Sequence, residues 1–403
     1  MPRRSTAIAC LILSSALIAC RGGVSPGQLT SQPTDTPAVT PSTSAISSLS
    51  PSSTPRGNPD LQWTASEIVG SVNGVAFDAD SKAWIALGRD VGGLAAWTSA
   101  NGGSWSRGDV PAAAGPPPPG GFQQTTMGQV VRFGSSLYSL GIGTGGGDAH
   151  QPLVWQSTDG QAWQARDLPE PFATTADLVW GGASSPSVLL VLGHRFAAYT
   201  GSVWLTSDTK NWSESFPNGS GPATESGIDL HDVVFDGTQF VAVGETKVGA
   251  AAAWRSADRA AWTAGEGGPE LASASMHSVS VAPGGGYVAV GTSHDGAAAW
   301  RSSDGRAWQG VDMTAASKGT VPYAVVQISE GLVALGTVGG RTAVWTSADG
   351  ASWTPQASTL AGQIPPYIGG FGHDLVATDG QAVLVVVQSG DKTTLWKGTP
   401  IPR

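Results

Sequence analysis

The chain has 403 residues, 56 of them glycine, with only 13 % charged side chains and a formal net charge of −9. This composition points to a turn-rich β protein rather than a helical one. The negative charge argues against nucleic acid as a partner and against an electrostatic grip on anionic lipid.

The first 19 residues read as an export signal. Arg3 and Arg4 form a basic start, and residues 7–19 are apolar apart from Ser14 and Ser15, too short a run to span a bilayer. Leu17, Ile18 and Ala19 precede Cys20, and Leu-x-Ala-Cys resembles the bacterial lipobox. That resemblance implies cleavage before Cys20 and lipidation of its new N-terminus. The protein would then be held outside a bacterial membrane by lipid alone; a plain signal peptide with an incidental cysteine is the alternative. Cys10 leaves with the signal, so no disulfide remains to the mature chain. Loss of Arg3 and Arg4 takes the net charge from −9 to −11.

Residues 20–60 carry that cysteine and a Ser/Thr/Pro-rich tract with few large apolar side chains. Such a tract cannot bury enough surface to offset ordering entropy, and its prolines favour extended backbone. A disordered tether is expected here, and a folded domain over 61–403.

Within 61–403 one nine-residue pattern, Trp-x-Ser-x-Asp-Gly-x-x-Trp, occurs six times: WTSANGGSW (97–105), WQSTDGQAW (155–163), WLTSDTKNW (204–212), WRSADRAAW (254–262), WRSSDGRAW (300–308) and WTSADGASW (345–353). A second half alone stands at Trp63 and a first half alone at Trp396. A repeat of about 45–50 residues built from short strands is the mark of a β-propeller. Ahead of each pattern lies an apolar run: WIALG (84–88), LYSLG (137–141), LLVLG (189–193), FVAVG (240–244), YVAVG (287–291), LVALG (332–336) and VLVVV (383–387). Seven such runs predict seven blades, each run being a second strand buried on both faces.

The unit at 232–264 shows the four strands in order: DVVF (232–235), FVAVG (240–244), AAAWR (251–255) and AWTA (261–264). The seventh unit is split. TTLWK (393–397) supplies a third strand, and LQWTAS (61–66) supplies a fourth from the other end of the chain. The expected fold is therefore all-β: a seven-bladed propeller of four-stranded antiparallel blades, closed by both terminal strands in one blade.

The repeated pattern is expected to fix turns. Its short polar side chains, Ser99/Asn101, Ser157/Asp159, Thr206/Asp208, Ser256/Asp258, Ser302/Asp304 and Ser347/Asp349, can accept from nearby amides. The glycine that follows permits positive φ. The pattern resembles the Asp-box, or BNR repeat, of sialidase-like propellers over 61–397. It differs in having a turn one residue shorter than the family's Ser-x-Asp-x-Gly-x-x-Trp, and in Thr209 and Arg259 replacing the glycine. In that family these turns are structural and remote from the active site. Calcium at the turns is disfavoured, since each offers one carboxylate and calcium takes six or more oxygens.

In such a propeller the inner-strand starts and the second-to-third loops share the face opposite the motif turns. All six histidines map there: His231, His277 and His373 before inner strands, and His150, His194 and His294 at second-to-third loops. The candidate ligand site is His231, His277, His373, Asn73, Gln129, Tyr323, His194, Arg195 and His294. Asp232, Asp374, Glu245, Lys247, Asp295 and Arg341 are their polar neighbours. The alternative is that these polar side chains merely tie blades together. No cofactor and no metal are expected, because the histidines lie in different blades without close zinc-type spacings.

The family resemblance also raises glycoside hydrolysis. Sialidase-like enzymes use an arginine triad, an acidic acid/base and a tyrosine paired with a glutamate. No Arg-Ile-Pro stretch precedes the first blade, Tyr138 and Tyr287 fall inside second strands, and Tyr323 and Tyr367 have no evident glutamate partner. The run GIGTGGGDAH (141–150) is expected to be a flexible loop. The favoured reading is a monomeric, non-catalytic surface protein that binds a protein or carbohydrate. A divergent hydrolase and an envelope assembly factor are the alternatives.

Overall fold

The computed structural model describes residues 57–113, 121–145, 150–169, 172, 178–195, 200–215, 227–257, 259, 261–311, 313, 320–356, 360, 372–389 and 392–402. Residues 1–19, Cys20, most of the 20–60 tract, Asp258, Tyr199 and Tyr367 lie outside these residues.

Seven antiparallel sheets follow one another along the chain. Their first strands are Ser71–Asp78, Gln124–Phe133, Leu178–Ser185, Ile228–Phe235, Ser275–Val281, Thr320–Ile328 and Val376–Thr378, in blades 1 to 7. Each first strand contacts those of the two adjacent blades, and blade 7 meets blade 1, so the ring is closed around a central channel. Blade 7 is composite. Val376–Thr378, Val383–Ser389 and Lys392–Pro400 are completed by Leu61–Val69. The closing pair runs in unbroken register from Leu61 opposite Pro400 to Val69 opposite Lys392.

The second strands are the seven apolar runs read from the sequence, extended by a few residues. Alternation explains why they are apolar on both faces. In Ala83–Asp90, Trp84 and Ala86 pack toward blade 7 while Ile85 and Leu87 pack toward blade 2. The same arrangement yields seven separate hydrophobic clusters, one at each blade interface. The leading tryptophans of the pattern, Trp155, Trp204, Trp254, Trp300 and Trp345, are at most 1 % exposed and supply the bulk of these clusters.

The turns between third and fourth strands share one hydrogen-bond plan. The hydroxyl accepts from the amide three residues on: Gly102 to Ser99 (2.9 Å), Gly160 to Ser157 (2.9 Å), Thr209 to Thr206 (2.8 Å), Gly305 to Ser302 (2.9 Å) and Gly350 to Ser347 (2.8 Å). Oδ1 of Asn101, Asp159, Asp208, Asp304 and Asp349 accepts from the amide two residues on, at 2.8–2.9 Å. Burial pushes the Asp159 carboxyl up, but the amides of Ala162 and Gln161 and the Ser157 hydroxyl outweigh it and hold the pKa low. Ser256 is buried. The glycine position has φ of +74° to +79° in four copies. Thr209 (+60°) and Arg259 (+72°) adopt the same left-handed conformation.

Two features depart from the expected plan. Blade 5 carries a fifth strand, Glu266–Gly267, which pairs in parallel with Ala307–Val311 and is pinned by an Arg306–Glu266 ion pair. In addition, Gly141–Thr144 belongs to the strand Ser136–Thr144 and not to a loop. Small residues serve there because a side chain at Gly141 would meet the Trp155 ring at 2.9 Å.

Candidate functional site at the channel mouth

Six of the seven first strands break register at the same level. The breaks fall at Val72/Gly74, Met127/Val130, Val179/Gly181, Leu230/Asp232, Met276/Ser278 and Pro322/Ala324. In blade 7 a 3-10 turn, His373–Leu375, occupies the corresponding place. A bulge leaves a residue out of the ladder and re-aims it. The residues left out are Asn73, Gln129 with Gly128, Trp180, His231, His277 and Tyr323. They stand at the end of the strand away from the first-to-second turn, on the face opposite the motif turns.

His231 and His277 are therefore inside their strands rather than ahead of them, which corrects the expected boundaries. The cause is the bulge, which in IDLHDVVF puts two consecutive polar residues where strict alternation would put one. The bulges also connect neighbouring blades. His231 Nδ1 lies 2.7 Å from the Met276 carbonyl, and His277 Nδ1 lies 2.8 Å from the Pro322 carbonyl. A carbonyl only accepts, so Nδ1 carries the proton in both rings. The His231 and His277 rings are 5.9 Å apart, and Tyr323 stacks on His277 at 6.3 Å and 17°. Burial drives the His277 pKa down to about 4; the Pro322 carbonyl opposes this and the nearby His231 adds to it.

Asp232, next to the bulge, is fully engaged. Its Oδ1 accepts from the Val233 amide, and its Oδ2 accepts from the Ser278 hydroxyl (2.8 Å) and the Val279 amide (2.9 Å) of blade 5. Ser278 Oγ in turn accepts from Val325 of blade 6 at 3.2 Å. A buried carboxylate so satisfied rigidifies its surroundings.

The structure brings His231, His277 and Tyr323 into one contiguous aromatic set. Gln129 reaches the channel, where a cavity of about 340 Å³ is also lined by Asp232, Ser278, Val325 and Thr378. Asn73 sits at the bulge of blade 1. His150 opens the strand His150–Ser157, and His294 is exposed in the turn before Gly296. His194 and Arg195 end the strand Val188–Arg195. His373 opens its 3-10 turn. The side chains of Arg195 and His373 lie outside the described residues.

Asp229 was not among the candidates. It lies two residues before His231 and directly opposite Glu245 in the strand pairing. Donor atoms of Asp229, His231 and Glu245 all lie within 4.8 Å of one another. A larger hollow of about 530 Å³ lies on the other face, between Glu330, Gln381 and the segment Thr399 to Pro402. Among the described residues Glu330 is its one ionisable lining residue.

The Tyr323 hydroxyl lies 3.5 Å from Thr337 Oγ1. Tyr138 and Tyr287 are buried. The Tyr287 hydroxyl donates to Asp236 on the motif-turn side; burial, followed by that bond, raises its pKa to about 12.

Fold and site together define a closed seven-bladed β-propeller with His231, His277 and Tyr323 in mutual contact at one end of its first strands and Gln129 lining the channel. No protein-family model matches the chain, and no curated protein matches it. Among solved structures it is similar to the β-propeller domain of the Trilobed protease from Pyrococcus furiosus, at 7 % identity, covering 83 % of this chain and 99 % of that one, TM-score 0.46. It is also similar to a mutant of AofleA from Arthrobotrys oligospora (13 % identity, 74 % and 91 % covered, TM-score 0.45). A third is the SapL1 lectin in complex with alpha methyl fucoside (14 % identity, 76 % and 98 % covered, TM-score 0.45). At these identities and scores the likeness transfers neither ligand nor activity.

Proposed function

We propose that this chain is a non-catalytic binding protein of the bacterial cell surface that recognises a protein or glycan through the channel-mouth face. The observation that carries this reading is the bulge repeated at one level in six blades, which turns Asn73, Gln129, His231, His277 and Tyr323 out of the ladder. A rigid ring with polar and aromatic groups converging on a concave mouth is the usual form of a ligand site. The reading includes lipid anchoring at Cys20 after loss of 1–19, a 20–60 tether, and Asp-box ancestry of the 61–403 domain. The alternative, a divergent sialidase-like hydrolase, is favoured by one observation, the facing carboxylates of Asp229 and Glu245.

Glycan-array binding and pull-down from bacterial envelopes, each with the wild type and Tyr323→Ala, test it. A specific ligand whose binding falls at least tenfold in the variant, with the melting temperature within a few degrees of wild type, supports the channel mouth. Binding that the variant leaves unchanged would move the site elsewhere. Hydrolysis of a glycan, lost in Asp229→Asn, would replace the binding reading with the enzymatic one.

A further inference from the structure

The channel-mouth edge of blade 4 sets two carboxylates, which the binding reading does not use, beside His231. Asp229 and Glu245 are direct cross-strand partners on Ile228–Phe235 and Phe240–Thr246. Like charges placed directly opposite destabilise a sheet. Among the described residues, no lysine or arginine forms an ion pair with either carboxylate. Asp229 Oδ1 is buried and makes no hydrogen bond among those residues.

His231 completes the set. Its ring is 1 % exposed, and Nδ1 donates to the Met276 carbonyl at 2.7 Å. With Nδ1 donating to that carbonyl, Nε2 is the ring nitrogen turned toward the carboxylates, 3.7 Å from Asp229 Oδ2. A histidine held through one nitrogen by a backbone carbonyl, with the other nitrogen facing the ion, is the supported form of a metal-ligating imidazole. Two carboxylates and an imidazole nitrogen converge where, among the described residues, no lysine or arginine pairs with either carboxylate.

We propose that Asp229, His231 and Glu245 bind a divalent transition ion of the zinc class. One imidazole and two carboxylates suit such an ion, with a fourth position left open. A tetrahedral ion with bonds of about 2.1 Å holds its donors about 3.4 Å apart. The present separations, up to 4.8 Å, close by rotation of the two half-buried carboxylates. The site shares His231 with the proposed recognition face, and a zinc titration tests it without any glycan or protein ligand.

The test uses the purified full-length chain, stripped with a chelator and titrated calorimetrically with zinc chloride. The wild type is expected to bind one Zn²⁺ with micromolar or tighter affinity and to melt at a higher temperature when loaded. The double variant Asp229→Asn, Glu245→Gln is expected to bind it at least 30-fold more weakly. Free of metal, that variant is expected to melt no lower than metal-free wild type, because the facing charges are gone. Calcium chloride is expected to bind wild type at least 100-fold more weakly than zinc. Equal zinc affinity in wild type and double variant overturns the site. A metal-free double variant that melts lower overturns it too, since the carboxylates would then be serving the fold by pairing with a protonated His231. Equal affinity for calcium overturns the ion class. Should the double variant not fold, Glu245→Gln alone carries the test, with at least a tenfold loss of zinc affinity expected.

Discussion

At Thr209 and Arg259 the motif turn keeps its shape without its glycine, and that isolates what the glycine does. A left-handed residue with a Cβ costs roughly 1–2 kcal/mol. Thr209→Gly relieves this but loosens the unfolded chain by about 0.4–1 kcal/mol, so a net gain of about 0.5 kcal/mol is expected in urea unfolding. Arg259 donates to Ser187 Oγ at 2.8 Å, a contact that a glycine would lose. The reverse change is harsher. A Cβ on Gly160 would lie 2.8 Å from Ile85 Cδ1 of blade 1, so Gly160→Ala adds overpacking to strain and should cost about 2–3 kcal/mol. Gly160→Ala matching wild type would show that the glycine serves neither conformation nor blade contact.

His277 gives the residue scale a pH signature. Its folded pKa is near 4, chiefly through burial, and its ordinary value is 6.5. As pH falls from about 6.5 toward 4, the unfolded chain takes up a proton that the folded chain refuses, so stability is lost across that window. The loss should reach roughly 2–3 kcal/mol near pH 4. Asp159 and Asp304, with folded pKa values below 3.8, act in the same direction but only below about pH 4. Melting curves from pH 7 to 4, with chelator present, are expected to slope for wild type and to flatten for His277→Gln, which keeps a donor for the Pro322 carbonyl. An equal slope in both would assign the dependence to another group.

At the scale of elements, the sequence disclosed whatever depends on local pattern. The seven apolar runs became second strands because a strand packed on both faces must be apolar at every position, and Trp63 and Trp396 fell on paired strands of one blade. The bulges were not legible. In IDLHDVVF the polar pair His231–Asp232 interrupts alternation, so the pattern alone starts the strand at Asp232 and leaves His231 ahead of it. The parallel pairing of Glu266–Gly267 left no signal, since two exposed residues carry no periodicity. Six histidines could be sorted to one face by topology, but which of them touch depends on the inter-blade bonds of Met276 and Pro322. Asp229 carries no signal along the chain, because its significance lies across the strand pair, opposite Glu245, and spacing does not reveal register.

For the whole molecule, the composite blade implies that closure is a matter of ring continuity and not of where the chain begins. The two ends of the propeller meet: the Ile401 amide donates to the Asp60 carbonyl at 2.9 Å. Joining residue 402 to residue 57 through a short glycine linker therefore needs little reach. Reopening the chain between Gly339 and Gly340, a turn where a Cβ would meet nothing within 4 Å, makes blade 6 the composite one. Its two halves would be held by the pairing of Gly331–Val338 with Arg341–Ser347. With residues 1–56 kept ahead of the new start, this permutant is expected to keep the β-sheet circular dichroism of wild type. It should unfold in one transition and lose no more than about 2 kcal/mol, since the buried interfaces are unchanged and only loop closure differs. The same cut without the new join leaves two fragments, and the larger should unfold at markedly lower urea because one blade interface has lost its partner. A permutant that binds hydrophobic dye and melts without a transition would show that the Leu61–Val69 to Lys392–Pro400 pairing matters for its own contacts rather than for closing the ring.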